Sequence, residues 1–153
     1  MTPVDFNTLA QQCAPEVHPT TLQAVVRTES GFNPFAIGVV GGRLVRQPQN
    51  RDEAVATVKA LDAAGWNYSM GLSQVNRYNL SRFGMDANSA FDPCTNLHAG
   101  SAILSERLER GRFPSPSLLA QRGFTLAELN AWLEGIEIPA REPHRTVAVT
   151  RVT

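Results

Sequence analysis

Pro19-Thr20-Thr21-Leu22-Gln23-Ala24-Val25-Val26-Arg27-Thr28-Glu29-Ser30-Gly31-Phe32-Asn33-Pro34 is the stretch on which the reading of this chain turns. Pro19 suits the first turn of a helix, where a backbone N–H has no intrahelical partner to lose. Leu22, Val25 and Val26 recur at i, i+3 and i+4 and mark an apolar stripe. Gly31 suits the position just past a helix end, and Asn33-Pro34 prevents continuation. The spacing predicts a helix from Pro19 to about Ser30. Glu29 stands at i+7, on the face that otherwise carries Leu and Val. A carboxylate there is at least partly desolvated, and it sits in the last helical turn, where the dipole is negative. Both effects favour its protonated form. Two readings are open for it: a side chain that turns to water or pairs with an arginine such as Arg27, or a neutral general acid.

Working outward, Asp5 is placed to cap a short helix from Phe6 to about Cys13. Ile37, Val39 and Val40 precede Gly41-Gly42, and Leu44 and Val45 follow, the pattern of a small hairpin. Asn50 or Asp52 starts a helix striped by Ala54, Val55, Val58 and Leu61 and closed by Gly65. Asp52 and Glu53 fall in its first turn, where acids complement the dipole. Trp66 to Asn76 is rich in Gly, Ser, Asn and aromatics and reads as a structured loop leading into a helix. Asp92-Pro93 is a strong helix start, a cap followed by Pro, for a helix carrying Leu97, Ser101, Ile103, Leu104 and Leu108 and ending near Gly111. Asn96 reads as a brace of that helix.

The last stretch differs in character, with Pro114, Pro116, Pro139 and Pro143. One helix is expected inside it, with a Thr125/Glu128 capping box, an apolar face of Leu126, Leu129, Trp132 and Leu133, and a stop at Gly135. Thr146 to Thr153 alternates Val with polar residues and reads as an edge strand or a frayed tail. The fold class is therefore mainly α with at most a minor hairpin.

The 153 residues carry 14 Lys+Arg against 14 Asp+Glu. That balance argues against bulk nucleic-acid or membrane-surface binding. No apolar run approaches the roughly 18–20 residues needed to span a bilayer. No positively charged start followed by an apolar stretch is visible. Cys13 and Cys94 are too few for a disulfide-built scaffold and the wrong pattern for zinc, so pairing and two buried thiols are both open. His18, His98 and His144 share no metal-like spacing, so neither metal nor cofactor is expected.

Three blocks, in order, resemble one family. Thr28-Glu29-Ser30-Gly31-Phe32-Asn33-Pro34 is similar to the signature of the lytic transglycosylases with the goose-lysozyme-like fold. Tyr68-Ser69-Met70-Gly71-Leu72-Ser73-Gln74-Val75-Asn76 resembles the family's Gly-Leu-Met-Gln block, with Ser73 where Met is commoner. Asp92-Pro93-Cys94-Thr95-Asn96-Leu97-His98-Ala99-Gly100-Ser101-Ala102-Ile103-Leu104 resembles its Asp-Pro…Asn-Leu…Gly…Leu helix. The long insert between the first two blocks is most similar to the branch that serves type IV secretion and conjugation.

The resemblance implies a lysozyme-like helical domain with a small β-hairpin insertion over about residues 1–110, leaving 111–153 as a divergent C-terminal segment. It implies a Cys13–Cys94 disulfide, usual in that branch. It implies a periplasmic enzyme that acts on peptidoglycan glycan strands beside other secretion-system components. The β-1,4 bond between N-acetylmuramic acid and N-acetylglucosamine would be cut to a 1,6-anhydro product. A second carboxylate, normal for glycoside hydrolysis, is not needed, because the C6 hydroxyl of the sugar attacks C1. Glu29 would serve as both acid and base. Ser30 would orient near it, Gln74 would hydrogen-bond an N-acetyl sugar, Gly71 would let backbone approach the glycan, and Tyr68 would stack on a sugar ring. The family's Ala-Tyr-Asn motif has no counterpart from Ser105 to Thr153. The alternative reading is a catalytically impaired peptidoglycan-binding or assembly protein of the same machinery.

Overall fold

The computed structural model describes residues 3–109 and 149–151. The helix expected near Thr125–Gly135 lies outside the described residues.

Helix α1 spans Pro3–Cys13. It begins before Asp5, so the expected cap position falls inside the helix, and Pro3 takes the opening place that proline tolerates. Helix α2 spans Pro19–Ser30, as its pattern predicts. His18 Nδ1 accepts from the Thr20 N–H at 3.2 Å. Gly31 adopts φ 60° and donates its N–H to the Arg27 carbonyl. Leu22, Val25 and Val26 enter the core. Phe6 of α1 meets Phe32 edge-on, with ring centroids 5.2 Å apart.

Strands β1 (Ile37–Val39) and β2 (Gly42–Leu44) flank the turn at Val40-Gly41 where the hairpin was expected. Their ladder partners lie elsewhere. β1 pairs antiparallel with β3 (Tyr68–Met70), with Val39 opposite Tyr68, and β3 pairs with β4 (Val75–Asn76) in a sheet ordered β1-β3-β4. β2 pairs with β5 (Val149–Arg151). The reason is local. The Gln47 side chain accepts the Ile37 N–H at 2.9 Å and donates to the Ile37 carbonyl at 3.0 Å, occupying the β1 edge that a hairpin partner would use. A blocked edge cannot recruit a strand.

Helix α3, Arg51–Ala63, is capped by Asn50, whose Oδ1 accepts the Glu53 N–H at 2.9 Å. Glu53 Oε2 in return accepts the Gln49 N–H, a reciprocal arrangement close to a capping box. Its Ala54, Val55, Val58 and Leu61 are buried. Residues 66–76, expected as a loop, instead form β3, a tight turn and β4. Three short 3-10 turns follow at Arg77–Asn79, Ser81–Phe83 and Ser89–Phe91. Helix α4 spans Pro93–Glu109. Asp92 Oδ2 accepts both the Thr95 N–H and its hydroxyl at 2.9 Å, so Asp92 is the expected cap. The Thr95 backbone bond holds the Asp92 carboxyl below its ordinary range, against an opposing effect of burial.

Cys13 at the end of α1 and Cys94 in the first turn of α4 form a disulfide, with Cα atoms 5.3 Å apart and a sequence separation of 81. Nearby, the buried Ser101 hydroxyl donates to Glu16 Oε1 at 2.6 Å. The disulfide closes a long loop, so most of its effect falls on the unfolded chain. Replacing both cysteines with serine is expected to lower the unfolding free energy by about 2–4 kcal/mol in a urea titration. Asp92 also predicts an acid limb. Its folded pKa lies below its unfolded value, so its contribution is present above about pH 4 and lost as pH falls through the folded value. Asp92→Asn is expected to flatten that part of the stability profile.

Candidate active site

Glu29 sits in the last turn of α2 and is fully buried, on the same face as Leu22, Val25 and Val26. The reading in which it turns to water is thereby excluded, and Arg27 lies exposed on another face. The next residue ties this helix end to a distant segment. The Ser30 hydroxyl lies 2.8 Å from the Leu72 carbonyl and 3.1 Å from the Val26 carbonyl. Past Gly31 the chain reverses through Phe32, a bulky residue at φ 63°. Non-glycine residues enter that region at a cost of about 1–3 kcal/mol and do so mostly at functional sites.

The segment that Ser30 meets is the turn between β3 and β4. Gly71 stands at φ 81°. A Cβ there would lie 2.2 Å from Asn96 Nδ2 and 2.9 Å from the Ala90 carbonyl, so only glycine fits. Its close approach is therefore to α4 and the preceding 3-10 turn. Gln74, at φ 50°, is buried. Its Nε2 donates to the carbonyls of Ala36 and Gly71, each at 2.9 Å. Its Oε1 has no hydrogen-bond partner among the described residues. Ser30, Gly71 and Gln74 are thus brought together around the end of the Glu29 helix.

Tyr68 is placed differently. It is buried in β3, and its hydroxyl donates to Asp62 Oδ1 at 2.9 Å. The Arg77 guanidinium lies 5.4 Å from its ring centroid. Burial first, then the bond to Asp62, push its pKa above the ordinary tyrosine value. The ring is engaged inside the protein.

Asn96 carries more than the brace of its own helix. Its Oδ1 accepts the Ser73 N–H at 2.9 Å, and the Ser73 hydroxyl lies 2.7 Å from the same oxygen. Its Nδ2 donates to the carbonyls of Met70 at 2.7 Å and Ala90 at 2.8 Å. Gly100 makes room for this contact, since a Cβ there would lie 2.0 Å from Ser73 Oγ. The sequence signals for it were its place beside the apolar stripe of α4 and in the Asn-Leu pair of the third block; neither names the turn as its partner.

Residues 6–120 match the model of the transglycosylase SLT domain. The chain belongs to the SLT transglycosylase family. It is 58% identical over 113 residues to the type IV secretion system protein virB1 of Brucella abortus (strain 2308), covering 74% of this chain and 48% of that protein. It is 30% identical over 149 residues to protein virB1 of Agrobacterium fabrum, covering 90% of this chain and 60% of that one. A virB1 of Rhizobium radiobacter is 31% identical over 120 residues, covering 77% of this chain and 49% of its own. The chain therefore spans about half the length of the curated relatives it matches. No solved structure matches it. The SLT match takes in Glu29, both cysteines and the whole 71–74 turn.

The geometry predicts that the turn fails as a unit. Gly71→Ala is expected to destabilise the SLT domain by about 2 kcal/mol or more, through a strained φ and a clash with Asn96. Asn96→Ala leaves the Ser73 N–H and two carbonyls unpaired and is expected to cost about 2–4 kcal/mol. Thermal or urea unfolding of the two variants checks both values.

Proposed function

We propose that this chain is a peptidoglycan lytic transglycosylase that opens the wall locally for a type IV secretion or conjugation machine, working in the periplasm. The observation that carries the reading is the fully buried Glu29 at the end of α2, held against the 71–74 turn by Ser30. Family membership and the likeness to virB1 proteins support it.

A buried carboxylic acid holds its proton more tightly than one in water. In the proposed reaction Glu29 gives that proton to the glycosidic oxygen as the bond from C1 of N-acetylmuramic acid to N-acetylglucosamine breaks. The C6 hydroxyl of the same muramic acid attacks C1, and Glu29, now ionised, takes the hydroxyl proton. The product carries a 1,6-anhydro ring, no water is consumed, and Glu29 ends as it began. Gln74 offers its remaining carbonyl oxygen to an N–H or O–H of the amino sugar. Ser30 and Gly71 act by holding the backbone around the acid. The acid is covered in this state, so entry of a glycan requires local opening around the end of α2.

The test is mass spectrometry of digested sacculi. The reading expects 1,6-anhydromuramyl ends, and Glu29→Gln is expected to lower the rate by at least about 10²-fold. Hydrated reducing ends, or a Glu29→Gln variant with undiminished rate, would overturn it. Strand binding without turnover in the parent protein would favour the impaired binding protein instead.

A further inference from the structure

Two large apolar side chains stand exposed among the described residues, Val45 and Tyr78, and Tyr78 is 52% exposed. An exposed tyrosine is ordinary when it is loosely held. This one is held at its ring by a partly buried arginine and at its backbone by a buried asparagine.

The ring is held by Arg77. Its guanidinium sits 5.2 Å from the Tyr78 ring centroid and 5.4 Å from that of Tyr68, so it bridges the exposed ring and the buried one. It is fixed there by Nη1 donating to the Trp66 carbonyl at 2.8 Å and by Nη2 at 3.1 Å from Asp62 Oδ1. The backbone is held by Asn76, fully buried, whose Oδ1 accepts the Tyr78 N–H at 3.1 Å. The Asn76 amide in turn donates to Asn67 Oδ1 at 3.0 Å and lies 3.2 Å from Ser69 Oγ. Buried polar networks of this kind rigidify what they hold. Here they fix the backbone and one face of a ring whose remaining surface meets solvent.

A pre-positioned aromatic face loses little entropy when it binds. It suits a partner with an apolar face and polar edges, which describes a pyranose ring seen along its C–H bonds. Tyr78 lies two residues past the end of β4 and four from Gln74, an extended span of at most about 14 Å. That places it within a few sugar rings of the turn against which Glu29 is held.

We infer that Tyr78, held by Arg77 and Asn76, is a stacking platform for a sugar ring of the glycan strand, distal to the bond that is cut. The inference rests on the transglycosylase reading above and deepens it. Tyr78 is a substrate-positioning residue in this scheme: it grips the strand and takes no part in proton transfer.

The experiment uses the full chain and glycan strands freed of stem peptides by amidase. Strand binding is measured by co-sedimentation in a Glu29→Gln background, and turnover is measured in the active protein. Tyr78→Ala is expected to weaken binding about three- to tenfold, as loss of an aromatic contact does. It should raise KM by a similar factor with kcat nearly unchanged, the signature of lost uniform binding. Tyr78→Phe should keep both, because the hydroxyl has no part in stacking. Since the ring is exposed, Tyr78→Ala is expected to melt near the parent, and that is checked alongside. Parent-like binding and KM in Tyr78→Ala would overturn the platform while leaving the transglycosylase reading intact. A loss in Tyr78→Phe as large as in Tyr78→Ala would overturn stacking in favour of a hydroxyl contact. If the parent neither binds nor cuts strands, the platform and the transglycosylase reading fall together.

Discussion

Asn96 and the turn it clamps are what the rest of this site depends on. One amide side chain, buried in the first turns of α4, accepts from Ser73 and donates to the carbonyls of Met70 and Ala90. The end of β3, the turn after it and the 3-10 turn before α4 are thereby fixed to one point. Two glycines make the approach feasible, Gly71 facing the amide and Gly100 facing Ser73. Ser30 then bonds to the clamped turn at Leu72, so the helix end that bears Glu29 is located relative to α4.

The same end of α4 is secured from outside. Cys94 and Asn96 are two residues apart, about 200° around the helix, and so leave it in nearly opposite directions. One reaches α1 through the disulfide and the other reaches the turn. Asp92 caps the same turn of helix. A covalent bond, a cap and a buried amide thus converge on one turn. The β3–β4 unit is consequently firmly anchored, with positive φ at Gln74 in its turn and at Phe32 just past the helix that bears Glu29.

How much of this was legible from residues alone depends on how local each signal is. Helix α2 was readable because Pro19, the Leu22-Val25-Val26 stripe and Gly31 lie within thirteen consecutive residues. The Asp92 cap was readable for the same reason. The β3–β4 pair was not. Tyr68, Ser69 and Met70 are all buried, so they show no alternation between core and solvent, and the strands are only two or three residues long. The partners of β1 and β2 were hidden because Gln47 occupies the edge that a Gly-Gly turn otherwise advertises. At the site, the i+7 spacing marked Glu29 correctly as inward-facing. The roles of Ser30 and Asn96 rest on bonds across 42 and 23 residues, which no local pattern encodes.

The account stands or falls on the proton of Glu29. Carbon-13 NMR of its side-chain carboxyl, assigned by loss of the signal in Glu29→Gln, reads that proton directly. A carboxyl still protonated well above the ordinary glutamate value of about 4.3 is the predicted result. A resonance that titrates as an exposed glutamate does would contradict the proposal that this side chain is the reaction's acid.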